Sequence, residues 1–197
     1  MFAKMKSLDF MRSYCAMLCV LLLAACASTP PAPVQIPPRP ARDSIQNFGL
    51  SGRAIIRQGA RADTMRMTWE HTLAEDAIGF SSSLGMVVAE LQRNASGARW
   101  MTADGERFEA RSADQLMARI TDQPVPLEAL SRWVLGRVGR GAAATRDSQG
   151  RLLEALDEGW AVRVLAYETE LPEALPSSIE VEHGALRIRL AIEEWAL

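Results

Sequence analysis

A mainly β fold, built as one large curved antiparallel sheet with two short helices set among its strands, is what this sequence predicts. Three observations carry the prediction. From Phe48 onward large side chains recur at every second residue over many short segments, the period of a strand with one apolar and one wet face. Glycine, asparagine and aspartate cluster between those segments, which is hairpin chemistry. Only around residues 113–120 and 127–134 does the apolar spacing lengthen to the helical i, i+3, i+4, i+7. Periodicity alone leaves the sheet free to be open or closed as a barrel.

The chain begins with a segment that is not part of that fold. Lys4, Lys6 and Arg12 precede residues 14–25, which carry no charge and end in Leu23-Ala24-Ala25-Cys26. Residues 1–25 therefore read as a signal peptide, too short to span a bilayer as a permanent helix. Small residues directly ahead of a cysteine match a bacterial lipoprotein cleavage site, where the Cys26 thiol is lipidated and becomes the new N-terminus. Met1, Met5 and Met11 all remain usable starts. Cys15 and Cys19 leave with the signal, so of the three cysteines only Cys26 stays, and neither an internal disulfide nor a cysteine metal cluster is available.

Residues 26–47 hold Pro30, Pro31, Pro33, Pro37, Pro38 and Pro40, the composition of an extended, semi-rigid tether. A weak helical signal sits at residues 43–47. The rest, residues 48–197, is enough for one domain with a sizeable core. The whole chain carries 22 Lys+Arg against 24 Asp+Glu, and it becomes more acidic once the signal is removed. Nothing in that balance resembles a nucleic-acid footprint.

Within the domain, Phe48, Leu50, Ala54 and Ile56 alternate with polar or small residues, and Met65, Met67 and Trp69 answer them across a turn at Gly59. Further strands are expected at residues 77–82, 86–92, 99–103 and 107–111. Ser112 is placed to cap a first helix with a stripe of Ala113, Leu116, Met117 and Ile120, ended by Pro124 and Pro126. Leu127, Leu130, Trp133 and Val134 form a second stripe that stops at Gly136. Strands then resume at 143–147, 152–156, 160–167, 178–183 and 186–192. A sheet of this size around so few helices encloses more space than a small core needs, which points to a ligand cavity.

No reaction centre emerges. His71 is expected at a solvated turn and His183 partly buried beside Ile179 and Val181; two histidines make no zinc spacing. Ser81 and Ser83 each lack one of the two glycines of a nucleophile elbow. The segment from Gly136 to Gly141 lacks the Lys-Ser/Thr ending of a phosphate loop. The informative oddities are apolar. Leu84 occupies a tight turn where a polar residue is usual, and Met65, Met67, Met86, Met101 and Met117 supply flexible thioethers suited to a pocket that fits chains of varying shape.

The run Pro124-Val125-Pro126-Leu127-Glu128-Ala129-Leu130-Ser131-Arg132-Trp133-Val134-Leu135-Gly136 resembles the central motif of the outer-membrane lipoprotein LolB family. Gly52-Arg53, Trp69, Ser83-Leu84-Gly85, Trp160, Val162, Tyr167, Leu175-Pro176 and Trp195 also match, so the resemblance spans about residues 48–195. It implies an unclosed barrel of about eleven strands with a short-helix lid over an apolar cavity. It further implies a non-enzymatic, monomeric protein without cofactor or metal, lipid-anchored in the outer membrane and facing the periplasm. Such a protein takes acylated lipoprotein clients from the periplasmic carrier LolA and inserts them into the inner leaflet of the outer membrane. By resemblance Leu84 is the membrane insertion loop. The cavity is expected to draw on Met65, Met67, Trp69, Phe80, Trp133 and Trp160. Ala27 follows the lipidated cysteine where an aspartate would signal inner-membrane retention, so outer-membrane delivery is expected. The prolines at 37, 38 and 40 shorten the first helix that the family often has.

Two other readings make distinct demands. A non-enzymatic outer-membrane lipoprotein that scaffolds envelope assembly would have an interior filled by its own side chains. An anchored hydrolase would need Ser81 or Ser83 within hydrogen-bond reach of a histidine.

Overall fold

Successive strands pair with one another except the sixth and seventh, and one further pairing, between the first strand and the last, joins everything into a single sheet. The computed structural model describes residues 39–121 and 123–197. The signal segment, Cys26 and the tether as far as Pro38 lie outside them. A single 3-10 turn at Arg42–Ser44 stands where the weak helical signal was. Ile45 behind it is buried in the core, so from Arg39 the tether packs on the domain. Arg39 pairs with Glu168, and the Arg42 backbone N–H donates to Glu173.

The strands are β1 (Phe48–Gln58), β2 (Arg61–His71), β3 (Asp76–Ser81), β4 (Val87–Asn94), β5 (Gly97–Thr102) and β6 (Arg107–Ala110), followed by β7 (Ala143–Arg146), β8 (Leu152–Asp157), β9 (Trp160–Tyr167), β10 (Pro176–His183) and β11 (Leu186–Ala196). Between β6 and β7 come α1 (Ala113–Thr121) and α2 (Leu127–Val134). The eleven strands run in the order β6-β5-β4-β3-β2-β1-β11-β10-β9-β8-β7, and every pairing is antiparallel. The edges β6 and β7 do not pair, so the sheet is unclosed and the two helices carry the chain from one edge to the other.

Burial follows the alternation. On β11, Leu186, Ile188, Leu190 and Ile192 are buried between more exposed neighbours. Glycine is required at one strand position for packing. The β1 register shifts between Ser51 and Gly52, and a Cβ on Gly52 would collide with the Ala191 carbonyl oxygen. The bulge bends β1 where the two halves of the sheet meet.

The sheet must curl. Strands spaced ~4.8 Å apart would make a flat sheet of this size about 50 Å wide, whereas helices of nine and eight residues are only about 12–14 Å long. One continuous apolar cluster nevertheless joins Ile78 and Leu91, Leu116 and Trp133, and Val162 and Ile179. Helix α1 lies on β5 and β6, and α2 reaches β10.

Local chemistry fixes the helices. The Ser112 hydroxyl accepts from the Gln115 N–H at 3.3 Å, a side-chain cap on α1. Asp114 of α1 accepts from the Leu127 N–H at 3.2 Å and so caps α2. The Gln58 amide donates to the Thr121 carbonyl at 2.8 Å, and His183 Nδ1 lies 2.9 Å from the Gln123 amide oxygen, tying the link between the helices to the sheet.

His71 departs from expectation. It is not solvated: β2 continues the inward parity of Met67 and Trp69 as far as His71, whose ring stacks on Phe48 at 4.8 Å and lies 2.6 Å from the Asp76 carboxylate. His183 is partly buried as expected and stacks on Trp160 at 5.2 Å.

Candidate functional site

Leu84 stands at the tip of the β3–β4 hairpin. The Gly85 N–H donates to the Ser82 carbonyl at 2.9 Å and the Ser82 N–H to the Met86 carbonyl at 2.8 Å, while Gly85 takes φ +83°. That is a three-residue loop whose last position requires the left-handed conformation glycine adopts freely. It turns Leu84 outward, leaving it 85% exposed. Met86, just after the loop, Val87 and Val88 of β4 and Met101 of β5 are exposed as well. Isolated exposed leucines are ordinary; Leu84 differs in having several other exposed apolar residues close to it in the chain.

The six residues expected to form the cavity all face the inner side of the sheet or sit under the helices. Met67 and Phe80 are register partners, with Met65 and Trp69 two positions away on either side of Met67. Trp133 of α2 meets Trp160 of β9 with ring centroids 5.9 Å apart. Met67, Trp69, Trp133 and Trp160 are buried, and Met65 and Phe80 are half-buried against the same cluster. The structure thus forms two groups from them, one on the β2–β3 hairpin and one between α2 and β9, with apolar side chains packed between.

Each group is braced by a buried carboxylate that sequence reasoning missed. Asp76 accepts from Trp69 Nε1 at 2.8 Å and from Arg93, and His71 lies beside it. Burial alone would raise the Asp76 pKa. The hydrogen bonds with His71, Trp69 and Arg93 and the charge on His71 outweigh that effect and hold it below the usual carboxylate range. Asp157 accepts from Trp133 Nε1 and from the Gly139 N–H, both at 2.8 Å. Both aspartates lie beside turns, where carboxylates are common, and no sequence signal separates them from solvated ones.

The strand ends near the β2–β3 turn differ in character from the Leu84 end. A cleft of about 630 Å³ is lined there by His71, Arg93, Arg111, Ser112, Glu128 and Arg137, among others. A second, of about 400 Å³, is lined by Arg42, Asp43, Arg132, Gly136, Arg137, Val138, Arg146 and Gly150. None of the six expected cavity residues lines either cleft.

A serine–histidine pair does not form. His71 sits opposite Asp76 while Ser81 sits opposite Arg66, about 17 Å along the strand. His183 is engaged by Gln123 and Trp160. No helix among the described residues is long and apolar enough to cross a membrane.

Residues 46–195 match the family described as Outer membrane lipoprotein LolB. An outer-membrane lipoprotein LolB from Dechloromonas aromatica is 36% identical over 185 residues, covering 91% of this chain and 94% of that protein. One from Azoarcus sp. is 35% identical over 190 residues, covering 94% and 96%. A third, from Chromobacterium violaceum, is 27% identical over 177 residues, covering 89% and 93%.

Proposed function

This chain belongs to the LolB family of outer-membrane lipoproteins, and from that premise we propose that it accepts acylated lipoproteins from the periplasmic carrier LolA and inserts them into the inner leaflet of the outer membrane. Membership gives it a non-enzymatic role in bringing lipoproteins to the outer membrane. The acceptor step and its site residues are the proposal.

The observation that carries it is the bridge between the unpaired edges β6 and β7. Helices α1 and α2 place Leu116, Leu127, Leu130, Trp133 and Val134 in the interior of an unclosed sheet, where a displaced helix would leave an apolar trough. Lifting α1 uncovers Leu116 and the half-buried Met117 and Ile120, at about 2 kcal/mol for each such side chain. An acyl chain returns roughly 0.8 kcal/mol for every methylene it buries, so about fifteen methylenes outweigh that cost. The lid is therefore closed at rest and opened by its ligand. With no phosphate loop in the sequence, transfer runs downhill, from carrier to this interior to bilayer.

In this reading Met65, Met67, Trp69, Phe80, Trp133 and Trp160 line the opened trough, Leu84 enters the leaflet, and Cys26 carries the anchor. The test is hand-over from acyl-loaded carrier to the mature chain bearing Cys26→Ala. Transfer to that soluble chain is expected, and no detectable transfer overturns the proposal.

The filled interior also favours one other reading, an outer-membrane lipoprotein that scaffolds envelope assembly. A fluorescent acyl probe that quenches the buried tryptophans on binding decides for the acceptor, and a probe that never enters decides for the scaffold.

A further inference from the structure

The cleft between the 3-10 turn, the segment after α2 and β7 is unusual for an acidic protein. Arg42, Arg132, Arg137 and Arg146 line it, and Asp43 is the one carboxylate among its lining residues. Arg132 is paired with Glu128 and Glu158. Arg42, Arg137 and Arg146 make no ion pair among the described residues; their guanidinium groups donate to the backbone carbonyls of Pro172, Asp43 and Gly150, and that of Arg42 also lies beside Tyr167, 5.9 Å from its ring centroid. The Nε–H groups of Arg42, Arg132 and Arg137 are buried and have no acceptor. Burial is the main influence lowering the Arg137 pKa; Asp43 opposes it and nearby Arg132 adds to it. Arginine stays charged even so, so these cations are held together short of counter-charge although the chain has acids in excess.

We propose that Arg42, Arg137 and Arg146, with Arg132 behind them, form a binding site for a phosphate group, of the kind carried by a phospholipid headgroup. Planar guanidinium groups take phosphate oxygens in pairs, and several forks around one cleft of this size suit a tetrahedral anion better than a single carboxylate. Position favours a headgroup. The cleft adjoins the point where the tether packs on the domain, Arg42 being two residues beyond Pro40. If Cys26 is anchored as proposed, this is the end of the domain to which the leash is attached, and it comes within reach of the leaflet. Hand-over of lipoproteins does not require the site, so the two proposals stand or fall separately.

The test uses the mature chain with Cys26→Ala, titrated with inorganic phosphate and with glycerol 3-phosphate while tryptophan fluorescence is followed. The same chain is cosedimented with phosphatidylethanolamine vesicles containing phosphatidylglycerol. Saturable binding is expected, weakened about tenfold or more by Arg42→Gln with Arg137→Gln. Exposed Arg146→Gln, which leaves the fold undisturbed, weakens it less, and Arg57→Gln leaves it unchanged. Vesicle binding that is lost in the arginine variants and competed by glycerol 3-phosphate identifies the headgroup as the source. Phosphate binding that depends on the arginines while vesicle binding does not identifies a free phosphate. Binding that is equal in all variants overturns the proposal. So does a loss of carrier hand-over in Arg146→Gln without any saturable phosphate binding, which would assign the arginines to the carrier protein.

Discussion

The indole N–H of Trp133 donates to the carboxylate of Asp157 at 2.8 Å, pinning α2 to the β8–β9 turn from inside the core. Both groups are buried, and the same carboxylate oxygen takes the Gly139 N–H. The arrangement fixes one helix of the bridge firmly. Helix α1 packs on the edge strand β6 and its neighbour β5 and has no buried carboxylate bond of this kind among the described residues.

Trp133→Phe keeps an aromatic ring in the core but removes the donor and leaves a small void where the rest of the indole was. The buried Asp157 carboxylate is then short of a partner, and stability should fall by about 1–3 kcal/mol, read as a lower urea midpoint. If α1 is the moving helix, acyl-probe uptake should change little in this variant. Uptake that accelerates markedly would identify α2 as the mobile element instead.

Asp76 predicts the response to acid. Its folded pKa lies below its unfolded one, so its contribution is complete above the unfolded carboxylate value and is lost as pH falls through the folded value. Stability should therefore decline below about pH 4. Asp76→Asn should be less stable at neutral pH and lose less on acidification. Equal acid slopes for the two chains, measured by denaturant titration at several pH values, would contradict this assignment.

Leu84→Glu should leave thermal stability within about 0.5 kcal/mol of the parent, because an exposed loop tip has little packing to lose. It should preserve acceptance from the carrier and impair release into vesicles, since a carboxylate resists the lipid interior. Equal loss of both steps, with a lowered melting temperature, would mark a folding defect.

Gly52→Ala should cost more than about 2 kcal/mol, because the obstruction is backbone and cannot move aside like a side chain. Gly59→Ala is the contrast: no atom lies within 4 Å of its Cβ, and only the positive φ penalises it. Melting temperatures of the two variants give the comparison.

The alternation of Leu186 to Ile192 and the two helical stripes made the elements legible, since burial of one face imposes the period that the sequence carries. The extent of β2 was less legible: His71 is polar, and only its pairing with Asp76 and stacking on Phe48 make it an inward residue. The exposure of Leu84 could be read from its place between Ser83 and Gly85. What stayed hidden depends on contacts distant in sequence. Asp157 looks like any turn aspartate until Trp133 arrives from 24 residues away. The arginine cleft is assembled from the 3-10 turn, the end of α2 with its following segment, and β7; residues 132–146 carry four arginines and no acid, but only the fold brings Arg42 to them.

The direction of β3 has a consequence for how the domain works at a surface. Its Asp76 end lies beside the start of β1, where the chain joins the domain, and its Ser81 end leads to Leu84, about 20 Å away. A leash attached at one pole must let the opposite pole touch down. With the anchor proposed at Cys26, a stretch of the length and proline content of 27–38 has a reach of roughly 37 Å at most, enough for the domain to tip over. Cutting that stretch in half should lower the effective concentration of the Leu84 pole at the bilayer and slow delivery while acceptance is unchanged. If the chain is anchored at Cys26 as proposed, the length of the proline-rich segment is expected to set the rate of such a capsizing motion.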